Sequence, residues 1–207
     1  MRILGLVLAA LVVACAPKNG ANAAPSLHDV LTGQVVAAGA ISWSAGRPLT
    51  WEDFRGTPPA TPGDEGARTA YSLFHGARCT GQRFEFVVIA AMLPRSSWVT
   101  ANVLRNAALS ARSLRHEQTH FDLSEVHARR MRRHFHELLS PCRRSETELN
   151  ALAERFTRDE AQAQRNYDDD TNYGRNPGKQ TEWNDEAARQ IVLLKEFAFL
   201  PTSSVSR

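Results

Sequence analysis

Residues 109–139 read LSARSLRHEQTHFDLSEVHARRMRRHFHELL, a run without proline or glycine that predicts one long α-helix. Apolar side chains recur along this run at Leu114, Phe121, Ala128 and Phe135, and such a stripe would face a core. The arginines of the run project mostly the opposite way, towards water. The stretch therefore predicts a long amphipathic helix around which the rest of the chain folds.

The centre of this helix carries the pattern H-E-x-x-H at residues 116–120. His116 and His120 are four residues apart, so their imidazoles lie on one helical face and can bind the same Zn²⁺. Glu117 then lies where it can take a proton from zinc-bound water. The motif predicts a zinc-dependent hydrolase, and a peptidase acting on peptide or protein substrates is the favoured form.

The remaining elements predict an α+β fold. Residues 70–79 and 84–93 are expected to be strands joined by a hairpin turn at residues 80–82. A capping-box pattern beginning at Ser145 predicts a second helix, and residues 179–197 predict a third. We therefore expect a small, mostly antiparallel N-terminal sheet packed on a C-terminal bundle of about three helices, with a zincin-like H-E-x-x-H helix.

A catalytic zinc usually needs a third protein ligand. If the first two helices run antiparallel on either side of a turn at Cys142 and Arg143, residues 165–169 lie opposite residues 116–120. The acidic run at residues 167–170 stands there and can supply a carboxylate. Glu160 is an alternative on the same helix, about two turns away.

The chain resembles the bacterial family of predicted secreted zinc-dependent proteases, a metallopeptidase-like domain of otherwise unknown function. The motifs that carry the resemblance are Trp51-Glu-Asp-Phe-Arg-Gly, Ser97-Trp98, His116-Glu-Gln-Thr-His-Phe-Asp with Glu125, Tyr167-Asp168-x-x-Thr171-x-Tyr173-Gly174, and Gln180 with Trp183. The resemblance covers about residues 40–197. It implies a zinc peptidase domain.

The same resemblance favours Asp168 as the third ligand, because the family pattern shares this acidic residue. The family usually has histidine where this chain has Tyr173. The spacing from Asp170 to Tyr173 and Gly174 is also similar to the D-x-x-Y-G motif of aspzincin peptidases. That similarity implies Asp170 as an alternative ligand and Tyr173 as a residue that stabilises the oxyanion.

The N-terminus predicts export. Residues 1–14 resemble a signal peptide, with Arg2 before an apolar run too short to span a bilayer. The run ends in a lipobox at Cys15, which predicts lipidation of that cysteine and a membrane anchor; the alternative is ordinary cleavage after Ala23. Residues 15–39 would be a flexible tether, and residues 40–207 a single zinc-metallopeptidase-like domain in the periplasm or cell envelope.

The other two cysteines, Cys79 and Cys142, are expected to form a disulfide in an oxidising compartment. The net charge is only +3, which does not indicate a nucleic-acid partner. The alternative to an enzyme is a non-catalytic envelope lipoprotein, a binding or structural module whose metal site is structural or degenerate. Tyr173, where the family usually has histidine, keeps this non-enzymatic alternative open.

Overall fold

Five α-helices and five β-strands make up the part of the chain that the structure, a computed structural model, describes: residues 24–62 and 65–199. The helices are α1 Leu27–Ala37, α2 Ala101–Arg105, α3 Ala107–His136, α4 Glu146–Thr171 and α5 Pro177–Leu193. The strands are β1 Ile41–Ser42, β2 Ala67–Arg68, β3 Tyr71–Thr80, β4 Arg83–Met92 and β5 Trp98–Val99. The predicted α+β class is confirmed.

Strands β3 and β4 form the predicted hairpin. They pair antiparallel in a register that runs from Tyr71 opposite Met92 to Thr80 opposite Arg83. Gly81 begins the two-residue turn with φ of 62°, a left-handed conformation that glycine adopts without steric cost. Strand β1 pairs with the end of β4, so the sheet order is β1-β4-β3, while β2 and β5 form a separate two-stranded ribbon.

The second half of strand β4, residues 88–92, is buried on both faces, and this places the sheet between two helical layers. Val88 and Ala90 point towards α3, where they pack with side chains from α3 and α4. Ile89 and Ala91 point to the opposite face, where they pack against α1. Because successive side chains of a strand alternate in direction, a strand covered on both sides must be apolar throughout.

Helix α1 corrects the prediction that residues 15–39 are a flexible tether. Residues 27–37 are helical, and the side chain of Ser26 caps the helix by accepting a hydrogen bond from the N–H of Asp29. Leu31 and Val35 are 3% exposed and pack against β4. The segment orders because it covers apolar sheet surface that would otherwise face water.

The helical half follows the expected course. Helix α4 begins at the capping box of Ser145 and Glu148, and α5 ends at Leu193, after which residues 195–197 form a 3-10 turn instead of continuing the helix. Helix α3 contacts β4, α4 and α5 and is the element on which the others pack.

The predicted disulfide is confirmed. Cys79, near the end of β3, is bonded to Cys142 in the short 3-10 turn between α3 and α4, 63 residues later in the chain. The bond ties the tip of the β-hairpin to the turn of the helical hairpin.

The N-terminal predictions concern residues that the structure describes only in part. The signal peptide, the lipobox at Cys15 and the alternative cleavage site lie outside the described residues. Across residues 24–62 and 65–199, none of the helices has the length and apolar character required to span a bilayer.

Replacing both Cys79 and Cys142 by serine should lower the free energy of unfolding by about 4 kcal/mol, because the cross-link removes conformational entropy from the unfolded chain. Urea denaturation of the oxidised proteins measures this difference. Adding a reductant should destabilise the wild type and leave the serine protein unchanged. A difference below about 1 kcal/mol would contradict the prediction.

His127 should make the fold sensitive to acid. Burial, together with the nearby charge of Arg130, lowers the pKa of His127 from 6.5 to about 4. Below pH 6.5 the unfolded chain binds a proton that the folded chain does not, so stability should fall between pH 6.5 and about 4, by at most about 3 kcal/mol.

In His127→Gln this part of the pH dependence should disappear, whereas His136→Gln, at an exposed position of the same helix, should retain it. Unfolding free energies measured across this pH range test the prediction. Identical slopes in wild type and His127→Gln would overturn it.

Candidate metal centre

The two histidines of the H-E-x-x-H motif lie on one face of α3, as the helical spacing predicts. The Nε2 atoms of His116 and His120 are 3.2 Å apart, and their rings are nearly perpendicular. Both side chains are largely buried, with 7% and 12% of their surface exposed. The pair is therefore held at the edge of the core with both Nε2 atoms directed at the same point.

Asp168 on α4 completes the group. Its Oδ1 atom lies 3.2 Å from Nε2 of His116 and 2.9 Å from Nε2 of His120. The acidic run at residues 167–170 therefore lies opposite the motif, as the antiparallel arrangement of the two helices predicts. Asp168 is 28% exposed, so solvent reaches the site from the side of this carboxylate.

The two alternative ligands point elsewhere. Asp170 accepts a hydrogen bond from Nε1 of Trp183 on α5, at 3.0 Å. Glu160 is buried and accepts hydrogen bonds from Gln164 and Ser124, at 2.7 and 3.3 Å. Among the described residues, His116, His120 and Asp168 are the one group of side chains with metal-ligand chemistry whose ligand atoms converge.

The three ligand atoms have the separation that zinc requires. Two ligands bound tetrahedrally at about 2.0–2.1 Å from Zn²⁺ are about 3.3 Å apart. The three edges of the observed triangle are 3.2, 3.2 and 2.9 Å. The donor set of two imidazoles and one carboxylate is also one that catalytic zinc sites use. The residues present therefore fit a zinc ion with one coordination position open.

Gln180 fixes the tautomer of His116. The hydroxyl of Tyr167 donates to the backbone carbonyl of His116 at 3.1 Å, so its oxygen accepts from Nε2 of Gln180 at 2.6 Å. The other end of the amide, Oε1 of Gln180, then lies 3.1 Å from Nδ1 of His116. Because this oxygen can only accept, Nδ1 carries a proton, so Nε2 is the nitrogen that a metal would bind.

Gln164 does the same for His120. Its Nε2 atom donates to the carbonyl of His120 at 3.0 Å and to Glu160 at 2.7 Å, which leaves Oε1 facing Nδ1 of His120 at 2.6 Å. The two glutamines come from different helices, α4 and α5. Together they hold both Nδ1 atoms and leave both Nε2 atoms facing Asp168 as the nitrogens that a metal would bind, the arrangement that metal-binding histidines require.

The electrostatics of the group favour a cation. Burial alone would lower the pKa of His120, but Asp168 and Glu117 reverse this effect and raise it to about 9. Burial alone would raise the pKa of Asp168, but hydrogen bonds from His116 and His120 hold it well below its usual range. Without a metal the site therefore holds a proton at neutral pH, and a divalent cation would displace that proton.

Glu117 lies on a neighbouring face of α3 and is held by the β-ribbon. It is 3% exposed, and its Oε2 atom accepts a hydrogen bond from the N–H of Thr69 at 2.6 Å. The hydroxyl of Thr69 donates to the backbone carbonyl of Glu117. The negative charge of Glu117 contributes to the raised pKa of His120.

Tyr173 follows α4 in an unusual backbone conformation. Asn172, Tyr173 and Gly174 have consecutive positive φ values of 48°, 53° and 74°. A Cβ atom at Gly174 would lie 3.2 Å from Cβ and Cγ of His116, so this turn packs directly on a metal ligand and requires glycine. The side chain of Tyr173 is 42% exposed beside the site, and its role as an oxyanion donor stays a prediction.

Tyr167 is a positioning residue. It is completely buried and stacks on His116, with 4.6 Å between the ring centroids and 20° between the planes. Its hydroxyl joins the backbone carbonyl of His116 to Gln180, so Tyr167 both supports the ring of His116 and orients the amide that fixes its tautomer.

The sequence pattern did not identify three parts of this site: Thr69, Gln164 and Gln180. A signal for Gln164 was present, because Glu160, Gln164 and Asp168 recur every four residues and so share one helical face. Gln180 was part of the family resemblance, without an assigned role. Thr69 had no signal, because its backbone N–H makes the contact.

Comparison with known proteins identifies a family but no activity. Residues 57–174 match the family described as "Bacterial protein of unknown function (DUF922)", and the match covers more than half of the chain and includes all three candidate ligands. No curated protein and no solved structure gives a significant match.

Replacing Gln164 by leucine should weaken zinc binding about tenfold or more, because the tautomer of His120 would no longer be fixed. Competition with a coloured chelator measures the dissociation constant. Gln162→Leu, at an exposed position of the same helix, is the matched control and should bind zinc as the wild type does. Equal affinities for the two variants would contradict the role assigned to Gln164.

Proposed function

We propose that this chain, which belongs to the bacterial family of unknown function DUF922, is an exported zinc-dependent peptidase. One observation carries the proposal. His116, His120 and Asp168 direct three ligand atoms at one point, with the separations that a tetrahedral zinc site needs and with both imidazoles locked in the metal-binding tautomer.

Zinc in such a site would polarise a scissile carbonyl and lower the pKa of water towards about 7. Glu117 is the general base: it accepts a proton from the attacking water and later passes it to the leaving amine. The N–H of Thr69 holds one oxygen of Glu117 at 2.6 Å and so fixes the direction of the carboxylate.

Tyr173 is the proposed oxyanion donor. Its backbone is fixed by a hydrogen bond from its own N–H to the carbonyl of Asp168, at 3.0 Å, and by the close packing of Gly174 on His116. Its side chain is partly exposed, so a bound peptide could reach the hydroxyl. This position has a tyrosine where the family resemblance leads us to expect a histidine, and in the proposed enzyme a phenol rather than a third imidazole would face the substrate.

The proposed location is the periplasm or cell envelope. The disulfide between Cys79 and Cys142 supports export, because such bonds persist in oxidising compartments. The lipid anchor at Cys15 and the membrane attachment that it would provide remain part of the proposal.

The second candidate function is a binding or structural module with a structural zinc. The low exposure of the two histidines, 7% and 12%, favours it, because buried ligands give a substrate little access to a bound ion. The exposure of Asp168 favours the peptidase. The two functions assign different roles to Glu117: the peptidase needs it as a general base, whereas a structural site needs no general base.

Replacing Glu117 by glutamine should leave zinc content unchanged and lower peptide cleavage about a hundredfold or more, because the variant keeps the ligands and loses the base. Zinc is measured by elemental analysis of the purified protein, and cleavage by mass spectrometry on a mixture of peptides. Undiminished cleavage would exclude Glu117 as the base.

The ligand variants complete this test. His120→Ala and Asp168→Ala should lose zinc and cleavage together, whereas Asp170→Ala, in the same acidic run but bonded to Trp183, should keep both. If the wild type binds zinc and cleaves no peptide, the structural module replaces the peptidase.

A further inference from the structure

Arg68 is next in the chain to the residue that binds the proposed catalytic carboxylate. It ends β2 and immediately precedes Thr69, whose N–H is bonded to Glu117. A hydrogen bond to Glu65 raises the pKa of Arg68, and the negative charges of Glu117 and Asp168 raise it further. The contact between Thr69 and Glu117, at 2.6 Å, therefore places Arg68 one residue along the chain from the group that holds the proposed base.

The guanidinium is held in a fixed orientation. Its Nε and Nη2 atoms donate to the two carboxylate oxygens of Glu65, at 2.9 and 2.8 Å. The group also lies over the ring of buried Trp98, 5.8 Å from its centroid. An arginine whose guanidinium is already held by two hydrogen bonds to one carboxylate and by an aromatic ring loses little further conformational freedom when it binds a ligand.

One edge of this guanidinium is available. The side chain of Arg68 is 49% exposed, and within residues 24–62 and 65–199 its Nη1 atom has no hydrogen-bond partner. Arginine forms its strongest hydrogen bonds with carboxylates and phosphates, and a peptide offers carboxylates. A peptide lying across the site would therefore meet a cation beside the proposed base.

We infer that Nη1 of Arg68 binds a carboxylate of the substrate, so that the enzyme cleaves peptides with an acidic side chain or the free C-terminal carboxylate close to the scissile bond. The inference rests on the proposed peptidase function and names its substrate class. The other reading is an ordinary surface ion pair, in which Arg68 serves only to hold Glu65.

The first experiment separates this inference from the proposed function. Wild-type protein is incubated with a complex peptide mixture, and the cleaved sites are identified by mass spectrometry. Sites enriched in acidic residues, or close to free C-termini, support the inference. If peptides are cleaved without this preference, the inference falls and the peptidase stands. If no peptide is cleaved, both fall.

The second experiment measures binding without cleavage. Zinc-loaded Glu117→Gln protein is titrated with a fluorescent peptide taken from the cleaved set, in versions with Glu or Gln at the acidic position and with a free or amidated C-terminus. The carboxylate that Arg68 binds should strengthen binding about fivefold over its neutral counterpart. A loss of affinity on Glu-to-Gln replacement in the peptide assigns the carboxylate to an acidic side chain, and a loss on amidation assigns it to the C-terminus.

Variants in the same background decide between the two readings. Arg68→Gln should abolish the ratio between acidic and neutral peptides, and Arg68→Lys should retain part of it. Glu65→Gln should lower the ratio without abolishing it, because the guanidinium keeps its charge but loses the carboxylate that fixes its orientation. A merely structural ion pair predicts an unchanged ratio in Arg68→Gln, and that result would overturn the inference.

Arg189→Gln is the matched control. Arg189 forms a similar fork with Glu186 three residues before it, on α5, and its loss should leave the ratio unchanged. An equal change in Arg189→Gln and Arg68→Gln would assign the effect to overall charge and reject the role of Arg68.

Discussion

The candidate site depends on one packing arrangement: α4 runs back along α3, so that an acidic oxygen on one helix meets two imidazoles on the other. Asp168 is partly buried, and a buried carboxylate is costly unless charged or hydrogen-bonding partners surround it. His116 and His120 provide those partners at 3.2 and 2.9 Å. The same geometry that makes the carboxylate acceptable in a partly buried position also fits a metal ion. The disulfide at the turn between the helices and the apolar cluster around Phe135 and Ala153 keep the two helices in this register.

Two neutral side chains orient the histidines of the candidate site. Gln164 and Gln180 accept hydrogen bonds from the Nδ1 atoms of the two histidines. The amide of Gln164 is oriented by the backbone carbonyl of His120, and the amide of Gln180 by the hydroxyl of Tyr167. An imidazole that was free to exchange tautomers would offer the wrong nitrogen to the metal part of the time. Because the amides come from α4 and α5, all three long helices contribute to the orientation of the ligands, and no single helix could form this centre.

The N-terminal half contributes more than a scaffold. Strand β4 alternates its side chains between α3 and α1, which fixes the sheet against the helix that carries the motif. The segment that leads from β2 into β3 then passes beside Glu117, where the N–H of Thr69 binds its carboxylate. The general base proposed here is therefore oriented by the β-ribbon, while the metal ligands are oriented by helices. Arg68, the residue proposed to bind the substrate carboxylate, ends β2 and so immediately precedes Thr69.

The sequence by itself determined the elements whose signals are local. Helical periodicity and the absence of proline and glycine predicted α3, and the capping box predicted the start of α4. Counting residues back along an antiparallel helical hairpin predicted that residues 167–170 lie opposite the histidines. It did not determine which carboxylate of that run turns inward, because Asp168 and Asp170 differ only in the helical face that they occupy after packing. Residues 27–37 were misread as a tether, since their helix is stabilised by the second face of β4, although the continuous apolar run of that strand indicated a cover on both sides. Thr69 and the two glutamines became part of the site only in the tertiary structure, because a backbone N–H and a neutral amide acquire their roles from what the fold brings next to them.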